Sequence, residues 1–212
     1  MSRTLRYDIP GTDWRRGLSE VFDGQTRGLF EPELQAPFDL VVEIGFGRGE
    51  FLLEMSAKNP DVAFIGVEVS FKRVLKMARR IAATPLRNLR LVHARGQDVV
   101  RDCIAPGSVE TFWINFPDPW PKKRHHKHRL VQRELVAQLA ERLRPGGTLQ
   151  LATDHRAYAE QMDEVLSGEA RLENAYAPLH WRPEVPGRLH TGYEEEWRAQ
   201  GRTLHFFEYR RI

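Results

Sequence analysis

At 212 residues, with 41% hydrophobic and 29% charged side chains, the chain has the length and balance of one soluble globular domain. That composition excludes a disordered or membrane-embedded protein. A net charge of +3 with a pI near 9.2 is a mild basic excess that permits a nucleic acid or an anionic metabolite without requiring either.

Cys103 is the only cysteine, so an intramolecular disulfide and a multi-Cys zinc site are excluded, and a reducing cytoplasm is the expected compartment. The opening residues interrupt every apolar run with charge, and neither a signal peptide nor a membrane span is expected. There is no internal repeat and no low-complexity tract. Residues 1–37 carry Pro10, Pro32, Pro37, Gly11, Gly17, Gly24 and Gly28 with weak periodicity and read as an irregular arm leading into a domain over 38–212.

From Phe38 onward, short apolar runs alternate with helical stretches. Strands are predicted at 40–44, 63–69, 89–93, 111–116 and 148–153, each nearly all apolar, as strands covered on both faces should be. Helices are predicted at 50–58, 71–83 and 129–143 between them. This alternation is the pattern of an α/β fold with a mostly parallel sheet and right-handed crossovers. The pattern then changes to a helix near 158–166, a Pro- and Gly-rich loop, and a last strand at 203–210 whose two-residue alternation suits an antiparallel C-terminal edge.

The first predicted strand ends in Glu43-Ile44-Gly45-Phe46-Gly47-Arg48-Gly49 and runs straight into a helix. Alternate glycines permit a tight turn and leave no Cβ between the loop and a bound nucleoside. Glu68, ending the second strand, stands where a carboxylate accepts ribose hydroxyls. A dinucleotide loop has to cradle a pyrophosphate, whereas Glu43 beside the turn favours a cationic ligand such as S-adenosylmethionine, which has an ammonium, a sulfonium and no phosphate.

The fourth strand leads into Ile114-Asn115-Phe116-Pro117-Asp118-Pro119-Trp120-Pro121. Three prolines neither extend a strand nor enter a helix, so they stiffen a loop at the ligand-binding end of the sheet. That loop presents Asp118, able to bind purine N–H groups, and Trp120, able to stack on a base. Residues 122–129 follow with five permanent cations, three histidines and no acid, a run that is either solvated or meets an anion. His125, His126 and His128 lack a metal-ligand spacing and read as extra phosphate donors, with no metal expected. Trp181 and Trp197 read as packing anchors, and Asp154 as either a helix cap or a substrate ligand.

These residues resemble the bacterial tRNA (guanine-N7-)-methyltransferase family, in the Glu-Ile-Gly-x-Gly-x-Gly opening, the Asn-Phe-Pro-Asp-Pro-Trp-Pro-Lys-Lys loop and a late Thr-x-Tyr/Phe-Glu element. The resemblance runs from about residue 40 to the C-terminus. It implies a Rossmann-like methyltransferase fold, S-adenosylmethionine as cofactor, and methyl transfer to N7 of a guanine in the variable loop of tRNA. It further implies that Glu43, Gly45, Gly47, Gly49 and Glu68 hold the cofactor. Asp118 would touch both cofactor and base, and Lys122, Asp154, Thr191, Gly192, Tyr193 and Glu194 would bind substrate. Where the family has an acid or amide near the adenine this chain has Arg95, so that contact belongs to Arg95 or to Asp98, and the arm lacks the family's basic Gly-Arg-x-Thr signature. Two other function classes fit the same residues: a nucleic-acid methyltransferase acting on an exocyclic amine, and a non-catalytic RNA-binding protein on this fold.

Overall fold

The computed structural model describes residues 7–21, 25–31 and 33–212; residues 1–6 and the arm positions Gly24 and Pro32 lie outside them. The first motif-bearing strand, β2 (Leu40–Ile44), is buried along its whole length. Leu40, Val42 and Ile44 enter one core and Val41 enters the other, because successive side chains of a strand point to opposite faces.

After β2 the chain winds outward through α1 (Glu50–Lys58), β3 (Ala63–Glu68), α2 (Phe71–Ala82), β4 (Leu89–His93) and α3 (Gly96–Asp102). It then returns to the other side of β2 through β5 (Val109–Asn115), α4 (Arg133–Arg142), β6 (Leu143–Thr153) and α5 (Arg156–Ser167). Two antiparallel strands, β7 (Leu172–Asn174) and β8 (His205–Arg211), close that edge, with α6 (Gly192–Ala199) between them. With β1 (Arg15–Arg16) added beside β4, the eight-stranded order is β1-β4-β3-β2-β5-β6-β8-β7. The order reverses between β2 and β5, which opens a crevice at their carboxyl ends, where α/β sheets bind ligands. One core holds α3, α4 and α5 against the sheet, and the other holds α1 and α2.

Several elements differ from the sequence expectation. The helix expected at 129–143 begins at Arg133, because residues 123–128 form a turn of 3-10 helix and Arg129 is buried as an anchor. Strand β6 begins at Leu143, where the helix was expected to end, rather than at Thr148, and the last strand runs from His205 to Arg211 rather than from 203 to 210. The helices α3 and α6 and the short strands β1 and β7 were not expected, and α6 lies within what reads as a Pro- and Gly-rich loop.

The arm contributes to both cores, through Trp14 on one side and Val21 and Phe30 on the other. It also provides the environment of Arg90, whose fully buried guanidinium donates to the Leu29 carbonyl at 2.9 Å and to Glu33 at 2.9 Å. The rings of Trp14 and Phe30 lie 4.3 and 4.8 Å from it. Burial lowers the Arg90 pKa to about 10, and Glu33 opposes that shift.

Candidate active site

Gly45, Gly47 and Gly49 all adopt left-handed backbone angles, with φ of 78, 58 and 80°, which explains glycine at alternate positions of this turn. A Cβ added at Gly45 would meet no atom within 4 Å, so the turn borders open space. The Gly47 amide donates to Oε2 of Glu68 at 3.0 Å and the Ser70 amide to its Oε1 at 2.9 Å. The Glu68 carboxylate is thereby fixed at the lip of the crevice, with the Arg73 guanidinium 3.5 Å away. Val69, next in the chain, leaves 66% of its surface exposed there, an apolar face suited to a flat ring.

Glu43 is 2% exposed, and burial pushes its carboxyl up to about 7, opposed by the Asn115 hydrogen bond and the Arg188 charge and reinforced by Glu68. Its Oε1 accepts from Asn115 Nδ2 at 2.9 Å, while Oε2 is buried without a hydrogen-bond partner among the described residues. The Asn115 side-chain oxygen accepts from Arg188, and Arg188 donates in turn to Glu194. Glu194, buried at the start of α6, also accepts from Arg198 at 3.1 Å. A continuous buried chain therefore joins the glycine turn to α6. Thr191 caps that helix, its Oγ1 accepting from the Glu194 amide at 2.9 Å.

The loop after β5 is held from below. Arg129 donates to the Pro119 carbonyl at 2.8 Å and to Gln161 at 2.6 Å, with its guanidinium 4.7 Å from the Tyr158 ring. Phe116 and Trp120 take left-handed φ values of 51 and 43°, a conformation that costs non-glycine residues energy and persists only when its surroundings impose it. Between them Asp118 is exposed and makes neither a hydrogen bond nor an ion pair among the described residues. Trp120 is flanked by His125 at 5.8 Å and His128 at 5.4 Å, so these histidines brace an aromatic surface.

Gly45, Gly47, Glu68, Asp118, Asp154 and Tyr193 together line one cleft of about 500 Å³. Glu43, Thr191 and Gly192 line a small cavity of about 20 Å³ adjoining it at the glycine turn. A groove of about 650 Å³ beside Arg182 and Arg198 is larger but holds none of the motif residues.

The family model described as "Putative methyltransferase" matches residues 38–207. A tRNA (guanine-N(7)-)-methyltransferase of Halorhodospira halophila is 43% identical over 170 residues, which cover 80% of this chain and 74% of the relative. The chain belongs to the tRNA (guanine-N7-)-methyltransferase family. The proteins of the same description from Bordetella pertussis and Thermus thermophilus are 50% and 40% identical over 71% and 82% of this chain, and the matches span 60% and 55% of their own lengths. Among solved structures, the 16S rRNA methyltransferase KamB superposes with a TM-score of 0.63 at 15% identity, covering 90% of this chain and 94% of that one. At that identity it shows the methyltransferase fold alone.

Against this family's pattern, the structure separates the expected residues into groups. Gly49 caps α1 against the Met77 side chain and does not line the cleft. Arg95 sits in an adjoining groove with Asp98, which pairs with Arg101 at 3.2 Å; the groove touches the cleft through His128 and Leu130. Lys122 is exposed at the start of the 3-10 turn, outside the cleft lining. Asp154 faces the cleft with its Oδ2 bound by Arg202 at 2.5 Å. Tyr193 reaches across from α6, its ring 4.6 Å from the Arg48 guanidinium and its hydroxyl accepting from Arg73 at 3.2 Å. Trp197 lines the cleft as well as packing, stacked on Tyr193 at 6.4 Å and on the Arg202 guanidinium at 3.8 Å. Sequence reasoning assigned no role to Asn115 or Arg188, and it counted Arg129 among the cations of the 122–129 run that are solvated or meet an anion, whereas Arg129 is buried and braces the Asp118 loop. Asn115 lies inside the loop motif, but nothing local in the chain marks the two arginines as buried.

Proposed function

We propose that this chain transfers a methyl group from S-adenosylmethionine to N7 of a guanine in the variable loop of tRNA, in the cytoplasm. The observation that carries the reading is Asp118: an exposed carboxylate, without an ion pair among the described residues, on a braced loop and sharing one cleft with Glu68 and the glycine turn. The residues fit the cofactor. Glu43 has a buried carboxylate oxygen in want of a donor, which suits an ammonium, and Glu68, with Val69 beside it, suits a ribose and its base.

Bound S-adenosylmethionine supplies an electrophilic methyl group on a sulfonium. Guanine N7 carries an in-plane lone pair and no proton near neutral pH, so the protein has no proton to remove. Asp118 accepts from the guanine N1–H and amino group and so orients the ring. As the purine becomes cationic on methylation, the same carboxylate stabilises it. Trp120 offers a stacking face, and the exposed Lys123, Arg124 and Lys127 beside it meet backbone phosphates.

The test is transfer of labelled methyl to unmodified tRNA, followed by digestion to nucleosides. The label is expected in 7-methylguanosine. Label in an N-methylated exocyclic amine, or no transfer from a protein that binds tRNA, overturns the reading in favour of one of the two other classes.

A further inference from the structure

The helix on the far side of the cleft from the basic loop is built against its own electrostatics. Over twelve residues α2 carries Lys72, Arg73, Lys76, Arg79 and Arg80 and no acid. Its inner face, Val74, Leu75, Met77, Ala78 and Ile81, is buried, and the helical period places Lys72, Lys76 and Arg80 in one exposed stripe about 6 Å apart along the axis. Like charges at this spacing weaken a helix, and cations in its first turn oppose the helix dipole. Other helices of the chain relieve such charges with acids four residues away: Glu54–Lys58 in α1, Arg156–Glu160 in α5 and Glu194–Arg198 in α6. Lys72, Lys76 and Arg80 form no ion pair with any described residue.

The cleft end of this stripe is aromatic. Phe71 is exposed, with the His93 ring at 5.5 Å and the Tyr7 ring at 6.1 Å, and Tyr7 itself is 65% exposed. A cationic stripe ending in open aromatic faces matches single-stranded nucleic acid, whose backbone is anionic and whose bases stack without regard to sequence. The sheet order fixes its placement, because α2 follows β3 on one side of β2 and the Asp118 loop follows β5 on the other.

Resting on the tRNA reading above, we propose that the outer face of α2, with Phe71 and Tyr7, is a second docking surface for the substrate RNA, so that cationic surfaces grip it on both sides of the cleft. Phosphates lie along Lys72, Lys76 and Arg80, and an unpaired base stacks on Phe71.

The experiment compares the wild type with K72Q/K76Q/R80Q and with Phe71→Ala, measuring tRNA affinity against salt, KM for tRNA, kcat and cofactor affinity. In the triple variant KM for tRNA should rise at least tenfold. The slope of log affinity against log salt should flatten by about 2, at roughly 0.7 to 0.9 for each phosphate no longer neutralised. The kcat at saturating tRNA and the cofactor affinity should stay within twofold. Phe71→Ala should weaken tRNA without changing the salt slope. If the wild type methylates tRNA and the triple variant matches it in KM and slope, the surface proposal fails alone, and the face serves another anionic partner or none. A wild type that neither binds nor methylates tRNA overturns both readings together.

Discussion

Glu43 offers the sharpest quantitative test of the site. Burial raises its carboxyl from the ordinary 4.5 to about 7, because the charged form loses hydration that one hydrogen bond from Asn115 and the neighbouring Arg188 replace only in part. The folded protein therefore holds a proton that the unfolded chain releases. Its contribution to stability is fully present below pH 4.5 and is lost as pH rises toward 7, by about 1.4 kcal/mol per pH unit and about 3 kcal/mol in all. A cationic ligand on the unpartnered Oε2 demands the ionised form, so cofactor affinity should fall about tenfold per pH unit on descending below pH 7 and level off above it. Glu43→Gln keeps an acceptor for Asn115 and removes the titration. This variant should be more stable than the wild type at pH 8 by up to about 3 kcal/mol, yet bind the cofactor more weakly by about 1.5 to 3 kcal/mol, the range for a hydrogen bond to a charged group. Its affinity should be flat with pH. Calorimetric titration with S-adenosylmethionine from pH 5.5 to 8.5, with urea melts of both proteins at the same pH values, measures both effects. Equal pH slopes in the two proteins would show that Glu43 is not the titrating group at the ligand, and the argument from its orphaned oxygen would fall.

Asp118→Ala should lower turnover by about two to three orders of magnitude, with Asp118→Asn between it and the wild type; equal inactivity of the two variants in single-turnover assays would point to proton abstraction instead. Replacing Lys123, Arg124 and Lys127 by Gln should flatten the salt dependence of tRNA binding by roughly 0.7 to 0.9 for each phosphate that goes unneutralised, with cofactor affinity unchanged. Arg129→Met removes the donor to the Pro119 carbonyl and should cost about 1 to 3 kcal/mol in a urea melt. It should also raise KM for tRNA by loosening the Asp118 loop, and an unchanged KM would mean that the prolines alone hold that loop.

What the chain discloses locally and what it hides follow from the range of the forces involved. The strands from β2 to β6 are legible because burial on both faces demands unbroken apolar runs, and the glycine turn because three left-handed positions admit little else. The strands β1 and β7, of two and three residues, are too short to carry a period. The α3 helix starts on a glycine and lasts seven residues, which hides it among turn signals. The α6 helix did carry a signal, since Thr191 followed three residues later by Glu194 is a capping-box spacing, and reading those residues only as ligands obscured it. Arg90, Arg129 and Arg188 were beyond reach, because a charged side chain reads as exposed until its partners are known. Those partners lie far away in sequence: Leu29 for Arg90, Gln161 for Arg129 and Asn115 for Arg188.

The buried arginine at 188 bears on how the late element works. Its guanidinium lies among Phe51, Trp113 and Phe206, with ring centroids at 4.8 to 5.5 Å, and bridges Asn115 to Glu194. In this arrangement the Glu194 carboxylate is held between Arg188 and Arg198, and the Thr191 hydroxyl is committed to capping α6. The Glu194 carboxylate is the more committed of the two, because drawing it toward a ligand would loosen a buried ion pair, and releasing one partner of a buried pair is costly; the Thr191 hydroxyl keeps its proton and lines the small cavity beside the glycine turn. Tyr193 and Trp197 carry no such obligation, and both face the cleft. Glu194, through Arg188, ties α6 to the same Asn115 that touches Glu43, Thr191 caps the helix, and Tyr193 and Trp197 are the residues of α6 that line the cleft. Filling the site at Glu43 and seating the substrate against α6 then act on one connected set of buried polar groups, so that each should favour the other.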